Sequence, residues 1–116
     1  MTPPTATREA PGDKQRRILD AALHVFAENG VHGTAVPPIA EAAGVAVGTL
    51  YRYFDSKEAL VNAVFRDTKA RLGEHLLNGI KPDNDPRSLF VTLWDRLVDF
   101  ARQEPRAFRF LEMQDH

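Results

Sequence analysis

The sequence predicts an all-α protein: a three-helix domain containing a helix-turn-helix, followed by further helices. Three observations support this class. Long segments repeat apolar residues at helical intervals. Two short apolar segments are separated only by Gly44-Val45, a spacing typical of a helix-turn-helix. Prolines and glycines stand where helices usually begin and end.

The first predicted helix covers residues 13–29. Residues 1–12 are rich in proline, threonine and alanine, which predicts a disordered tail. Asp13 then occupies the position expected of an N-cap, and Asn29-Gly30 ends the helix. The apolar stripe consists of Ile18, Ala22, Val25 and Phe26, so one broad face of this helix should be buried.

Two short helices follow and form the predicted helix-turn-helix. Pro37 and Pro38 fit only the first turn of a helix, and Ala35 stands at its N-cap position. Gly44 should end this helix. A second short helix should begin near residue 46 or 47 and run to about Phe54, with its outer face uncovered.

Three more helices are predicted beyond the motif. Asp55 or Ser56 should cap a long helix that runs to about residue 78. Asp85 and Pro86 should start a helix over 86–103, whose wide apolar face predicts cover on more than one side. Pro105 starts another helix, and we expect the chain to be truncated inside a larger all-helical domain.

Composition narrows the classes of function. The 116 residues suit one domain with a modest core. Cysteine is absent from the sequence, which excludes disulfides and thiolate chemistry. No apolar run has the length of a membrane span, and the N-terminus lacks a secretory signal, so we expect a cytoplasmic protein with no membrane partner. Fifteen basic and sixteen acidic residues balance, so nucleic-acid binding must be argued from the placement of charges.

The second short helix carries the candidate site. A major groove admits one α-helix, whose first residues usually reach the base edges. Farther along, hydroxyls and a guanidinium can meet phosphates or bases, and Lys57 opens the next helix, where it can hold a phosphate. The candidate residues of this segment are Ala46, Val47, Gly48, Thr49, Tyr51, Arg52, Tyr53 and Lys57.

Over about residues 14–65 the sequence closely resembles the DNA-binding domain of the TetR family of transcriptional regulators. Four motifs occur in order: I-L-x-A-A-x-x-x-F-x-x-x-G, I-A-x-x-A-G-V, G-T-L-Y-x-Y-F and S-K-E-x-L. The resemblance implies a homodimeric repressor of operator DNA. It also implies a DNA-binding domain over 13–56 and the start of an effector-binding and dimerisation domain over 57–116.

The resemblance assigns roles within the candidate site. It places phosphate contacts at Thr49, Tyr51, Tyr53 and Lys57, and base contacts at Ala46, Val47, Gly48 and Arg52. The family commonly has serine or threonine at the cap that is Ala35 here, so Thr34 is expected to supply that phosphate contact. A small-molecule effector would bind among the later helices, where Phe90, Trp94 and Phe110 are candidate pocket residues, with core packing as the alternative.

Other classes of function have weaker support. His24, Glu28 and His32 are spaced like metal ligands, but Asn29-Gly30 breaks the helix between them, so we predict no metal and no cofactor. No nucleophile motif is recognisable, which argues against an enzyme. The neutral charge balance and the apolar Ala46-Val47 leave one alternative, a helical protein-interaction module of the same fold without DNA binding.

Overall fold

The computed structural model describes residues 12–81 and 85–113, and the regular structure of these residues is entirely α-helical. The predicted tail therefore lies outside the described residues, except for Gly12. The helices in chain order are α1 (Asp13–Asn29), α2 (Val36–Ala43), α3 (Val47–Tyr53), α4 (Lys57–Leu77), α5 (Pro86–Gln103) and α6 (Pro105–Met113). The all-α prediction is confirmed.

The start of α1 differs from its prediction in one detail. Gly12, and not Asp13, is the N-cap residue, with a φ of 96°. Its carbonyl oxygen accepts a hydrogen bond from the backbone N–H of Arg16 at 2.8 Å, so Asp13 is the first helical residue. Glycine takes the left-handed conformation at little cost, and Asp13 then places its carboxylate near the positive end of the helix.

The chain divides into two compact units, one up to Val64 and one from Phe65 onwards. In the first unit α1 packs against α2, and α2 packs against α3. Its buried apolar side chains come from every helix in the unit: Ile18, Ala22, Phe26, Ile39, Leu50, Phe54, Leu60 and Val64. The apolar stripe predicted for α1 is thus largely a core face, and Phe54, just after α3, is also buried.

The turn between α2 and α3 sets the direction of α3. Gly44 is left-handed, with a φ of 75°, and its N–H donates to the carbonyl of Glu41 at 3.1 Å. The N–H of Val45 donates to the carbonyl of Ala40 at 3.0 Å. These two bonds form a Schellman motif, which satisfies carbonyls at the end of α2. Extended backbone at Ala46 then leads into α3.

A side chain from α1 also secures the end of α2. Arg17 Nε donates a hydrogen bond to the carbonyl of Ala43 at 3.0 Å. That carbonyl belongs to the last residue of α2, where no helical partner remains for it. The bond therefore joins two helices at the point where the chain turns towards α3.

The second unit contains the rest of α4 with α5 and α6, and α5 packs against α6. Phe100, Ala107 and Phe110 are buried, and Asp85 caps α5 by accepting a bond from the N–H of Ser88 at 3.2 Å. The cover predicted for the apolar face of α5 is not found among the described residues, where Phe90 is 67% and Trp94 is 56% exposed. No helix in the described part of the chain is long and apolar enough to cross a membrane.

Candidate nucleic-acid interface

Helix α3 contributes one buried residue to the core of the first unit. Leu50 has no exposed surface, and it is the buried residue of the seven in this helix. Tyr51 and Tyr53 are 43% and 41% exposed, and Arg52 is exposed as well. Most of α3 therefore faces away from the core, as a helix must if it is to enter a groove of another molecule.

The N-cap and first two residues of α3 form an apolar surface, which we call the apolar edge (Ala46, Val47 and Gly48). All three are exposed. A Cβ placed on Gly48 would meet nothing within 4 Å, so the space beside the helix is open there. Small side chains on both sides of Val47 allow a partner to approach the backbone closely.

Arg52 offers hydrogen-bond donors that none of the other described residues accepts. Among residues 12–81 and 85–113, its guanidinium forms no hydrogen bond or ion pair. Arg17, by contrast, donates to a backbone carbonyl. A guanidinium fork that is exposed and unpaired can bind guanine or a phosphate in bidentate fashion.

The start of α4 adds a cation close in sequence to α3. Ser56 Oγ accepts a hydrogen bond from the N–H of Ala59 at 3.0 Å, which settles the predicted choice of cap in favour of Ser56. Lys57 is then the first residue of α4 and is partly exposed. The positive end of α4 and the ammonium group both favour an anion at this place.

Thr34 does not belong to this exposed surface. Its side chain is 5% exposed, and its hydroxyl donates to the carbonyl of Gly30 at 2.7 Å. The hydroxyl closes the loop after α1, where it satisfies a helix-end carbonyl. The expected phosphate contact from Thr34 is therefore corrected to a structural role, because a buried and bonded hydroxyl cannot reach a partner.

The three predicted pocket residues differ in their exposure to solvent. Phe110 is fully buried, whereas Phe90 and Trp94 are more than half exposed. The second unit has a cavity of about 540 Å³ with mostly polar walls, lined by Glu74, His75, Asn78, Arg96 and Asp99. The sequence did not reveal it, because charged residues spread over two helices are typical of a solvated face.

Hydrogen bonds from Arg96 and a close contact between His75 and Asp99 organise this cavity. Arg96 Nη1 donates to the carbonyl of Leu76 at 3.1 Å and also to that of Asn78. His75 Nε2 lies 3.2 Å from Asp99 Oδ2, and the His75 ring is tilted against Phe100 with the centroids 5.7 Å apart. Within the described part of the chain, no three histidine, aspartate or glutamate residues are grouped so that they hold a metal ion.

Gly48→Ala is expected to stabilise the fold and weaken DNA binding. The new Cβ meets no neighbour. Alanine is better than glycine in the middle of a helix by about 0.5–1 kcal/mol, so the gain at the second residue of α3 should not exceed that range. The same methyl group would stand between the α3 backbone and a bound duplex. Urea denaturation and DNA titration measure the two effects.

Gly73→Ala is the matched control for this change. Gly73 lies within α4, and a Cβ there also meets nothing within 4 Å. This variant should gain stability without losing DNA affinity. Equal affinities for the two variants would show that the Gly48 backbone does not approach DNA.

Comparisons with known proteins agree on one family. Residues 18–64 match the bacterial regulatory proteins of the tetR family. The chain is 47% identical over 68 residues to the HTH-type transcriptional repressor KstR2 of Rhodococcus jostii (57% of this chain, 33% of that protein). It is 43% identical over 68 residues to the fatty acid metabolism regulator protein of Bacillus subtilis (59% and 35%).

A solved structure extends the similarity to most of the chain. The crystal structure of a TetR-like transcriptional regulator from Rhodococcus sp. RHA1 superposes with a TM-score of 0.87 at 26% identity, over 91% of this chain and 58% of that one. The chain thus spans only about a third of the two curated relatives and somewhat over half of this structure.

Proposed function

This chain belongs to the TetR family of bacterial transcriptional regulators, and we propose that it represses transcription by binding operator DNA through α3. Residues 13–56 would form the DNA-binding domain, and residues 57–116 the start of the effector-binding domain. Binding to chromosomal DNA would place the protein in the cytoplasm. The proposed function is DNA binding and involves no enzymatic reaction.

One observation carries the proposal: α3 is attached to the core of the first unit, yet its outer surface is exposed. Leu50 anchors the helix in the core, and the Schellman turn at Gly44 sets its direction. Arg52 is exposed and has donors that no other described residue accepts, and Lys57 follows at the start of α4. A rigid support under an exposed reading helix suits base recognition, because the contacts need a fixed geometry.

We further propose that the protein acts as a homodimer released by a small-molecule effector. Two copies of α3 would enter successive major grooves about 34–36 Å apart. Effector binding in the later helices would favour a dimer whose spacing no longer fits, with α4 as the connecting element. One relative is named a transcriptional repressor, which supports repression over activation.

Selection from a random duplex library, followed by a salt titration, tests this function. A selected palindrome is the expected result, because two-fold protein symmetry is matched by the site. The affinity should fall with salt along a log–log slope of about −0.9 for each phosphate contacted. Failure to bind any duplex at low salt would refute the proposal and favour the protein-interaction module.

Lys57→Ala is expected to weaken binding to all duplexes alike. Removing one phosphate contact should make the log–log salt slope shallower by about 0.9, and the preferred bases should stay the same. Titrations of the selected site and of an unrelated duplex at several salt concentrations measure both quantities.

Lys69→Ala provides the comparison for Lys57→Ala. Lys69 lies farther along the same helix, and its ammonium stands 5.4 Å from the centre of the Phe65 ring. This variant should keep the slope of the unchanged protein. A slope altered equally by both variants would mean that Lys57 acts only through net charge.

A further inference from the structure

The apolar edge is unusual as the front of a helix that reads DNA, because it contains no side chain that can form a hydrogen bond. Ala46 and Gly48 leave Val47 standing between them, and Val47 is 37% exposed. Thr49 is only partly exposed. The first fully exposed donors of α3 are the hydroxyl of Tyr51 and the guanidinium of Arg52, about one turn after Val47.

This chemistry limits what the apolar edge can recognise. The major-groove edges of the base pairs carry hydrogen-bond donors and acceptors, and the C5-methyl group of thymine is the apolar group among them. An isopropyl group pressed against the amine of cytosine would leave that donor without a partner, which costs binding energy. Against a thymine methyl, the same group excludes water from two apolar surfaces.

We infer that Val47 is a specificity-determining residue that selects thymine in each half-site through its C5-methyl group. The inference rests on the proposed function and deepens it, since it names the base that this part of α3 reads. Val47 and Tyr51 are four residues apart on α3 and are both exposed, so they lie on the same face of the helix. A duplex that contacts Tyr51 would therefore also cover Val47.

Uracil substitution tests the inference without altering the protein. Starting from the duplex selected by the complete chain, each thymine is replaced in turn by uracil, which removes only the methyl group. One position in each half-site should lose affinity about fourfold, the equivalent of the ~0.8 kcal/mol gained by burying one such group. The other thymines should change the affinity less than twofold.

Two variants connect the effect to Val47. With Val47→Ala, the uracil penalty at that position should fall below twofold, while binding itself persists through the remaining contacts. With Val47→Asn, a repeated selection should replace thymine at that position, since an amide pairs with adenine. Val47 is exposed, so neither variant should alter the far-ultraviolet circular dichroism.

The outcomes separate this inference from the proposed function. If no duplex is selected, both fail. If a palindrome is selected but no uracil substitution lowers affinity, the protein binds DNA and the inference about Val47 is wrong. A penalty that is the same in Val47→Ala and in the unchanged protein also overturns it, because another residue would then contact the methyl group.

Discussion

Leu50→Ala is expected to lower the free energy of unfolding of the first unit by about 2–5 kcal/mol. Leu50 has no exposed surface and is the buried residue of α3. Truncation removes its apolar contacts and leaves a cavity that the surrounding helices fill only in part. Urea denaturation measures the loss, and sequence-specific DNA binding should disappear with it, because α3 loses its anchor.

Leu77→Ala is the matched control, since it removes the same atoms from an exposed position. Leu77 ends α4 and is 61% exposed, so its truncation should cost less than about 1 kcal/mol. The contrast between the two leucines isolates burial as the cause. Equal losses would mean that α3 is not held to the core through Leu50.

The helices were predictable where their ends are marked by residues with strong local preferences. The bounds predicted for α1 and α5 are those observed, because Gly30, Asp85 and Pro86 leave little choice of end point. At the start of α1, both Gly12 and Asp13 suit an N-cap position. The backbone takes a left-handed conformation at Gly12, which makes Gly12 the N-cap residue. The sequence pattern alone does not specify that conformation.

The candidate site was harder to predict, because exposure depends on tertiary packing. The motif placed Val47, Arg52 and Lys57 at the surface, and the structure agrees. The resemblance also suggested Thr34. A hydroxyl that can donate to a phosphate can equally donate to a nearby backbone carbonyl, and that of Thr34 donates to the carbonyl of Gly30. The spacing of apolar residues in α5 predicted an apolar face, but it could not predict which part of the protein covers that face. Phe90 and Trp94 therefore remain exposed where burial was predicted.

Arg52→Ala is expected to relax base preference at particular positions of the operator. If Arg52 binds a guanine in bidentate fashion, its loss removes about 1–3 kcal/mol of discrimination at that base pair. Stability should hardly change, because the side chain is exposed and bonds to none of the described residues. Affinities for the selected duplex and for single-base variants of it measure the effect.

Arg66→Ala is the control, because Arg66 is an exposed arginine in the middle of α4. It should leave base preference intact, which would show that the effect of Arg52→Ala depends on where Arg52 lies and not only on the loss of a positive charge.

The comparison of Arg52→Ala with Lys57→Ala is the sharper test of the site. A phosphate contact lowers affinity for every sequence and reduces the salt slope, whereas a base contact lowers affinity mainly for the preferred sequence. If Arg52→Ala and Lys57→Ala gave the same pattern, the division of this surface into base-reading and phosphate-binding residues would be wrong.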